Sequence, residues 1–269
     1  MTTSPPDGAF TVAGPDDAPC IIFIHGAAWT RAMWLPQVAA LADTFHIVAL
    51  DLPGHGALAN EPFTLKRAIA VVDQAVALAP QGRAVIVGLS LGGYVAMAFA
   101  AQAPERCASL VLSGCAIEYY GLLGRLSQLG AALSLRIYRP ARIAAMQSAS
   151  LRSAYPPEIA DAQIAAGFSF QALPASYREL ARRRFRPLLR TYPGPVLILN
   201  GERDWLNRRS EARQLAATQH GRLQVIADAG HLCNLDQPAV FTLVVREWLT
   251  SVGVSEIFRP YLQTQIDHV

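Results

Sequence analysis

The sequence predicts an α/β protein, with a mostly parallel central sheet and helices on both of its faces. Three observations carry that expectation. Short continuous apolar runs recur along the chain, and they alternate with longer stretches of helical character. Runs of the first kind are strands buried on both faces, and strands alternating with helices build a parallel sheet. The third observation is Gly88-Leu89-Ser90-Leu91-Gly92, followed at once by Gly93. It lies between Ala84-Val85-Ile86-Val87 and the small-residue stretch Tyr94–Ala100, so a sharp strand-to-helix turn would present the Ser90 hydroxyl at the sheet edge. Glycines without Cβ let strand and helix come close at such a turn.

The elements follow in order. Cys20–Ile24 reads as a buried strand, and His25-Gly26-Ala27-Ala28 as the loop after it. Helical character from about Arg31 to Ala42 leads to a second strand, His46–Leu50, closed by the turn-rich Asp51-Leu52-Pro53-Gly54-His55-Gly56. Thr64–Ala79 is a helix with Thr64 at its N-cap and Pro80 past its end. Ala84–Val87 is the strand into Ser90, Leu91–Gln102 the helix out of it, and Ser109–Leu112 the next strand. The sheet resumes at Pro195–Leu199 and ends with Leu223–Ala227, with helices over Ser210–Thr218 and Gln237–Ser251.

Residues 116–192 interrupt this rhythm. No β-rich run occurs there. Leu122, Leu126, Leu129 and Leu133 mark one stripe of a helix, and prolines punctuate the rest. The expected organisation is a core of residues 1–115 and 193–269 with a helical lid inserted at 116–192. The tail from Gly253 to Val269 has little periodicity, and the sequence does not decide between packing on the body and a subunit contact.

The 269 residues are 52% hydrophobic and 16% charged, which supports a large core and excludes a disordered chain. The residues Met1–Asp7 have neither a basic start nor an apolar run, so no secretory signal is expected. No stretch of about 20 apolar residues suggests a membrane span. Cys20, Cys107, Cys115 and Cys233 are scattered, as expected of buried thiols in a cytoplasmic protein, and no cluster has metal-ligand spacing. Net charge is +3, but residues 116–192 hold eleven arginines against four acids, leaving the remainder negative. Arg178, Arg182, Arg183, Arg184, Arg186 and Arg190 form the densest run. It reads as a solvated face or as a handle for an anionic or carrier-bound acyl group. No nucleic-acid module accompanies the charge, and neither a nucleic-acid nor a membrane partner is expected.

Taken together, His25-Gly26, Asp51-x-x-Gly54-x-Gly56, the Gly88–Gly93 turn, Gly201-x-x-Asp204 and Gly230-His231 resemble the α/β-hydrolase family over nearly all of residues 10–251. The resemblance implies a serine esterase without cofactor or metal. Serine is a weak nucleophile until a base and an orienting acid activate it. Ser90, Asp204 and His231 each follow a strand, so all three fall at one edge of a parallel sheet. Their order along the chain is the one this fold uses. Glu118, Glu202 and Asp228 are rival acids, and His25 and His55 lie at the same edge. The resemblance assigns His25 to the loop beside the oxyanion site and His55 to a turn. It implies that the backbone N–H groups of Ala27 and Leu91 bind the oxyanion.

Tyr119, Leu122, Leu126, Phe168 and Trp29 are the expected pocket residues, and Trp34 is left between pocket entrance and core. The expected activity is cleavage of a small-molecule carboxylic ester through an acyl-enzyme on Ser90. Thioester or carrier-linked ester cleavage, carbon–carbon bond hydrolysis, and a ligand receptor that kept the fold are the alternatives. Acyl length, leaving group, stereochemical preference and oligomeric state are not encoded legibly.

Overall fold

Seven strands, β1 (Phe10–Ala13), β2 (Cys20–Ile24), β3 (His46–Leu50), β4 (Ala84–Leu89), β5 (Cys107–Ser113), β6 (Pro195–Gly201) and β7 (His220–Ile226), pair into one sheet. Their order across it is β1-β3-β2-β4-β5-β6-β7. The structure is a computed structural model and describes residues 8–253. Six strands run parallel, and β1 alone pairs antiparallel, with Phe10 opposite Leu50. β1 escapes a search for continuous apolar runs because Phe-Thr-Val-Ala alternates and is half exposed. As an edge strand it has only one neighbour and one covered face.

The helices are α1 (Leu35–Leu41), α2 (Leu65–Ala77), α3 (Leu91–Gln102), α4 (Leu122–Ile137), α5 (Pro140–Ala154), α6 (Pro157–Ala166), α7 (Leu173–Ala181), α8 (Arg186–Thr191), α9 (Trp205–Arg208), α10 (Glu211–Leu215), α11 (Cys233–Asp236) and α12 (Pro238–Ser251). Local chemistry sets several ends. The Thr64 hydroxyl accepts from the Arg67 N–H at 3.1 Å and caps α2. Such a cap contributes about 1 kcal/mol.

Successive strand residues point to opposite faces, and each face has its own core. On one side Ile22, Ile24, Val48, Leu50, Ile86 and Leu110 meet Val71 and Val72 of α2 and Val95 and Phe99 of α3. On the other, Ile21, Phe23, Ile47, Val85 and Val87 meet Trp34, Leu41 and, from α12, Phe241 and Trp248. Trp34 is fully buried and stacks on Phe23 at 4.8 Å between ring centres, so it belongs to the core and not to a pocket entrance. The four cysteines are free and buried, and burial pushes each thiol up to about 12.

Helices α4–α8 lie between β5 and β6, and residues 116–192 contain no strand among the described residues. α4 packs on α7. Phe185, Leu189 and Tyr192 are buried in the core beneath, so the end of this segment belongs to the covering layer of the sheet. The tail after Gly253, with His268, and the stretch Met1–Asp7 lie outside the described residues.

Candidate active site

β4 ends at Leu89 and α3 begins at Leu91, so one residue makes the whole turn between them. Ser90 takes φ 53° and ψ −116°, a left-handed conformation that side chains rarely adopt. The surroundings hold it there. Its N–H donates to the Ser113 carbonyl at the end of β5 at 2.7 Å, and its own carbonyl accepts from Gly93 N–H at 2.9 Å. A Cβ at Gly92 would overlap the Ile24 carbonyl oxygen of β2, so the close approach of α3 to the sheet requires glycine there.

Asp204 follows β6 and caps α9, accepting from the Asn207 N–H. Its Oδ2 also accepts from Asn207 Nδ2 at 2.9 Å, and from His231 Nδ1 at 2.7 Å. Burial raises the Asp204 carboxyl, but the hydrogen bond and charge of His231 and the bonds from Asn207 outweigh it, and the net shift is below the usual carboxylate range. Asn207 is itself held by the Ala116 N–H, which donates to its Oδ1 at 2.8 Å. The His231 side chain is 44% exposed and Asp204 only 7%, so the acid is sheltered and the ring reaches solvent. With Nδ1 donating to Asp204, Nε2 is the ring nitrogen left for chemistry. Gly114 fits beneath the ring, since a Cβ there would lie 2.7 Å from His231 Cε1.

Ser90, Asp204 and His231 line one cavity of about 300 Å³, together with Gly114, Ile117, Tyr119, Tyr177, Arg203, Trp205, Leu206 and Asn207. Tyr119 and Tyr177 meet with their ring centres 5.3 Å apart and their planes tilted by 58°. Burial pushes the Tyr119 phenol up to about 12, with a further contribution from Tyr177, so it remains a proton donor at neutral pH.

The other two histidines of this edge are fully committed elsewhere. The Leu52 N–H donates to His25 Nε2 at 3.0 Å, which leaves the proton on Nδ1 to be given to the Gly26 carbonyl at 2.7 Å. The Ala28 N–H donates to His55 Nε2 at 3.2 Å, and His55 Nδ1 donates to the Pro53 carbonyl at 2.9 Å. Burial lowers His25 to about 4, and burial with the neighbouring His25 lowers His55 to about 3. Both are neutral rings joining the loop after β2 to the loop after β3. Asp51, fully buried, tightens the second loop by accepting from the Arg31 and Ala57 N–H groups at 2.8 and 2.9 Å. The N–H groups of Ala27 and Leu91 have no hydrogen-bond partner among the described residues.

The rival acids are placed differently. Glu118 accepts from the Phe185 and Arg186 N–H groups at 3.1 and 2.9 Å. Asp228 pairs with Arg203, and Glu202 accepts from the Asp228 N–H at 3.1 Å. The expected pocket needs correction. Leu122 and Leu126 face outward, 71% and 56% exposed, because α4 turns its opposite side to α7. Trp29 and Phe168 meet each other edge to face at 5.6 Å and are not among the residues lining the Ser90 cavity. Tyr119 does line it. Asn207 and Tyr177 were missed. The spacing of Asp204 and Asn207 is that of an N-cap and the third helical residue, a readable signal, whereas nothing local marks Tyr177.

Comparison with known proteins agrees with this architecture. A model of the alpha/beta hydrolase family matches residues 21–242. The chain is 26% identical over 252 residues to 3-oxoadipate enol-lactonase 2 of Acinetobacter baylyi, covering 88% of this chain and 90% of that one. It is 36% identical over 99 residues to pimeloyl-[acyl-carrier protein] methyl ester esterase of Nitrosomonas europaea, covering 37% and 36%. Among solved structures, a thermophilic esterase from Thermogutta terrifontis superposes with a TM-score of 0.75 at 25% identity, covering 91% of this chain and 93% of that one. With the sheet order, the single-residue turn at Ser90 and a family match over most of its length, this chain belongs to the alpha/beta hydrolase family.

Proposed function

We propose that the protein is a serine hydrolase of small-molecule carboxylic esters, with Ser90 as nucleophile, His231 as base and Asp204 as orienting acid. The observation that carries this reading is the 2.7 Å bond from His231 Nδ1 to Asp204, in the same cavity as a serine held on a strained turn. Ser90 Oγ attacks the ester carbonyl and gives its proton to His231 Nε2. The Ala27 and Leu91 N–H groups receive the developing oxyanion, each such donor contributing ~3 kcal/mol to the transition state. The alcohol leaves with the proton from His231. Water then cleaves the acyl-enzyme by the reverse relay, returning the proton to Ser90. Asp204 fixes the tautomer and stabilises the imidazolium. The phenols of Tyr119 and Tyr177 supply donors at the cavity wall.

A cavity of this size suits a small acyl group. The arginine run does not form one handle over it. Arg184 lies over the Tyr120 ring, and Arg186 donates to the Ala116 carbonyl. Thioester and carrier-linked substrates, which the arginine run was to recognise, therefore rank behind a simple ester. Incubation with a fluorophosphonate tests the reading. The expected result is one adduct, on Ser90 by peptide mass, with parallel loss of p-nitrophenyl ester hydrolysis. Labelling elsewhere, or hydrolysis that survives full labelling, would overturn it.

A further inference from the structure

Helix α4 carries an apolar stripe that nothing among the described residues covers. Leu122, Leu126, Leu129, Leu133 and Ile137 follow helical spacing and are each between 56% and 71% exposed. The far side of the helix is the packed one, since a Cβ at Gly124 would crowd Ala181 of α7. Five large aliphatic side chains in one exposed row are unusual for a surface that meets only water.

The charge around the stripe says what meets it. From residue 119 to residue 157 the sequence has five arginines and no acidic residue. Arg125 and Arg136, eleven residues apart, fall on the same flank of the stripe. Beside that flank Arg125, Gln128, Arg178, Arg182, Tyr120 and Ala181 line a groove of about 500 Å³. Arg182 pairs with Glu179 at 3.3 Å, while Arg125 and Arg178 have no carboxylate partner among the described residues. A tyrosine stands at each end of the helix, half exposed and covered by a guanidinium: Tyr120 under Arg184 at 4.7 Å and Tyr138 under Arg142 at 5.9 Å.

We propose that α4 and the arginine groove form a docking surface for an anionic lipid bilayer. Aliphatic side chains on one face, arginines beside them and tyrosines at both ends are the make-up of a helix that lies in a membrane interface. The stripe enters the acyl region, and Arg125 and Arg178 take lipid phosphates in the groove. Ser127 and Ser134 lie toward Phe170, Leu173 and Tyr177, away from the stripe, so between its two tyrosine ends the apolar row carries no hydroxyl. A second copy fits poorly, because the face holds arginines and no acid to answer them. The expectation of no membrane partner rested on the lack of a spanning segment. No helix of the described residues is long and apolar enough to cross a membrane, and a helix lying on the surface needs no such length.

Co-sedimentation of the full chain with vesicles tests the proposal independently of the ester chemistry. Binding is expected to phosphatidylcholine vesicles containing phosphatidylglycerol, to be weak on phosphatidylcholine alone, and to fall as salt rises. Leu129→Glu with Leu133→Glu should weaken binding at least about tenfold by removing apolar insertion. Arg125→Gln with Arg178→Gln should weaken it about thirtyfold, with an unchanged melting temperature for both double variants. Failure of the full chain to bind anionic vesicles overturns the proposal, as does binding that neither double variant weakens. A concentration-dependent dimer abolished by Leu129→Glu with Leu133→Glu, without vesicle binding, would assign the stripe to a second copy instead.

Discussion

The sheet and the helical segment above it use similar aliphatic side chains to opposite ends. Every residue of β2, β3, β4 and β5 is buried, whereas of the sixteen residues of α4 only Gly124 is. The strands are fixed by neighbours on both sides and both faces, so the loops leaving their ends have defined positions. The cavity takes Ser90 and Gly114 from such strand ends, Asp204 and His231 from the loops after β6 and the edge strand β7, and two tyrosines of the helical segment that complete its wall. Burial in the central strands therefore positions Ser90, while the exposed apolar row of α4 has no cover among the described residues.

Substitutions can break or sharpen that contrast. The largest effect is expected at Ser90→Ala, where turnover of p-nitrophenyl acetate should fall by about 10⁴–10⁶ with the melting temperature nearly unchanged. Asp204→Asn should keep the fold and reduce kcat by about 10⁴, because the His231 tautomer is no longer fixed. In the core, Phe23→Ala should cost about 3–5 kcal/mol in urea unfolding, since its ring is fully buried against Trp34.

Acid should act on the same buried layer. The unfolded chain protonates His25 and His55 near the ordinary 6.5, and the folded one only near 4 and 3. The folded state thus binds fewer protons in that window. Stability is full above pH 6.5 and lost as pH falls toward the folded values, by up to ~1.4 kcal/mol per pH unit for each ring. Urea unfolding across this range, with His55→Gln showing a shallower slope, checks the sign. The smallest effect belongs to the outer helix. Leu129→Ala should change unfolding free energy by no more than about 0.5 kcal/mol. A loss comparable to that of Phe23→Ala would mean that the stripe is covered in solution.

β2 to β6 were legible because a strand buried on both faces writes its burial into consecutive residues, and the edge strand β7 was legible only over its apolar end from Leu223. β1 was not, because an edge strand alternates and is short. The Ser90 turn was legible for a steric reason: few sequences other than a glycine-flanked one pass between strand and helix so tightly. Asp204 and His231 could be placed at one sheet edge from order alone, while their bond to each other required coordinates. The error over Leu122 and Leu126 has a simple origin. Periodicity groups residues on one face of a helix but does not say which way the helix is rolled, and the small residues Gly124 and Ala181 decided that.

The paired imidazoles of His25 and His55 have one further consequence. They rivet the loop that carries Ala27 to a loop some twenty-seven residues farther along the chain, with no strand pairing between the two segments. Lengthening or shortening the Asp51–Glu61 stretch would therefore be felt at Ala28 as a mechanical displacement. Tolerance to insertion, usually a property of surface loops, should be absent there even though no residue of that stretch lines the Ser90 cavity.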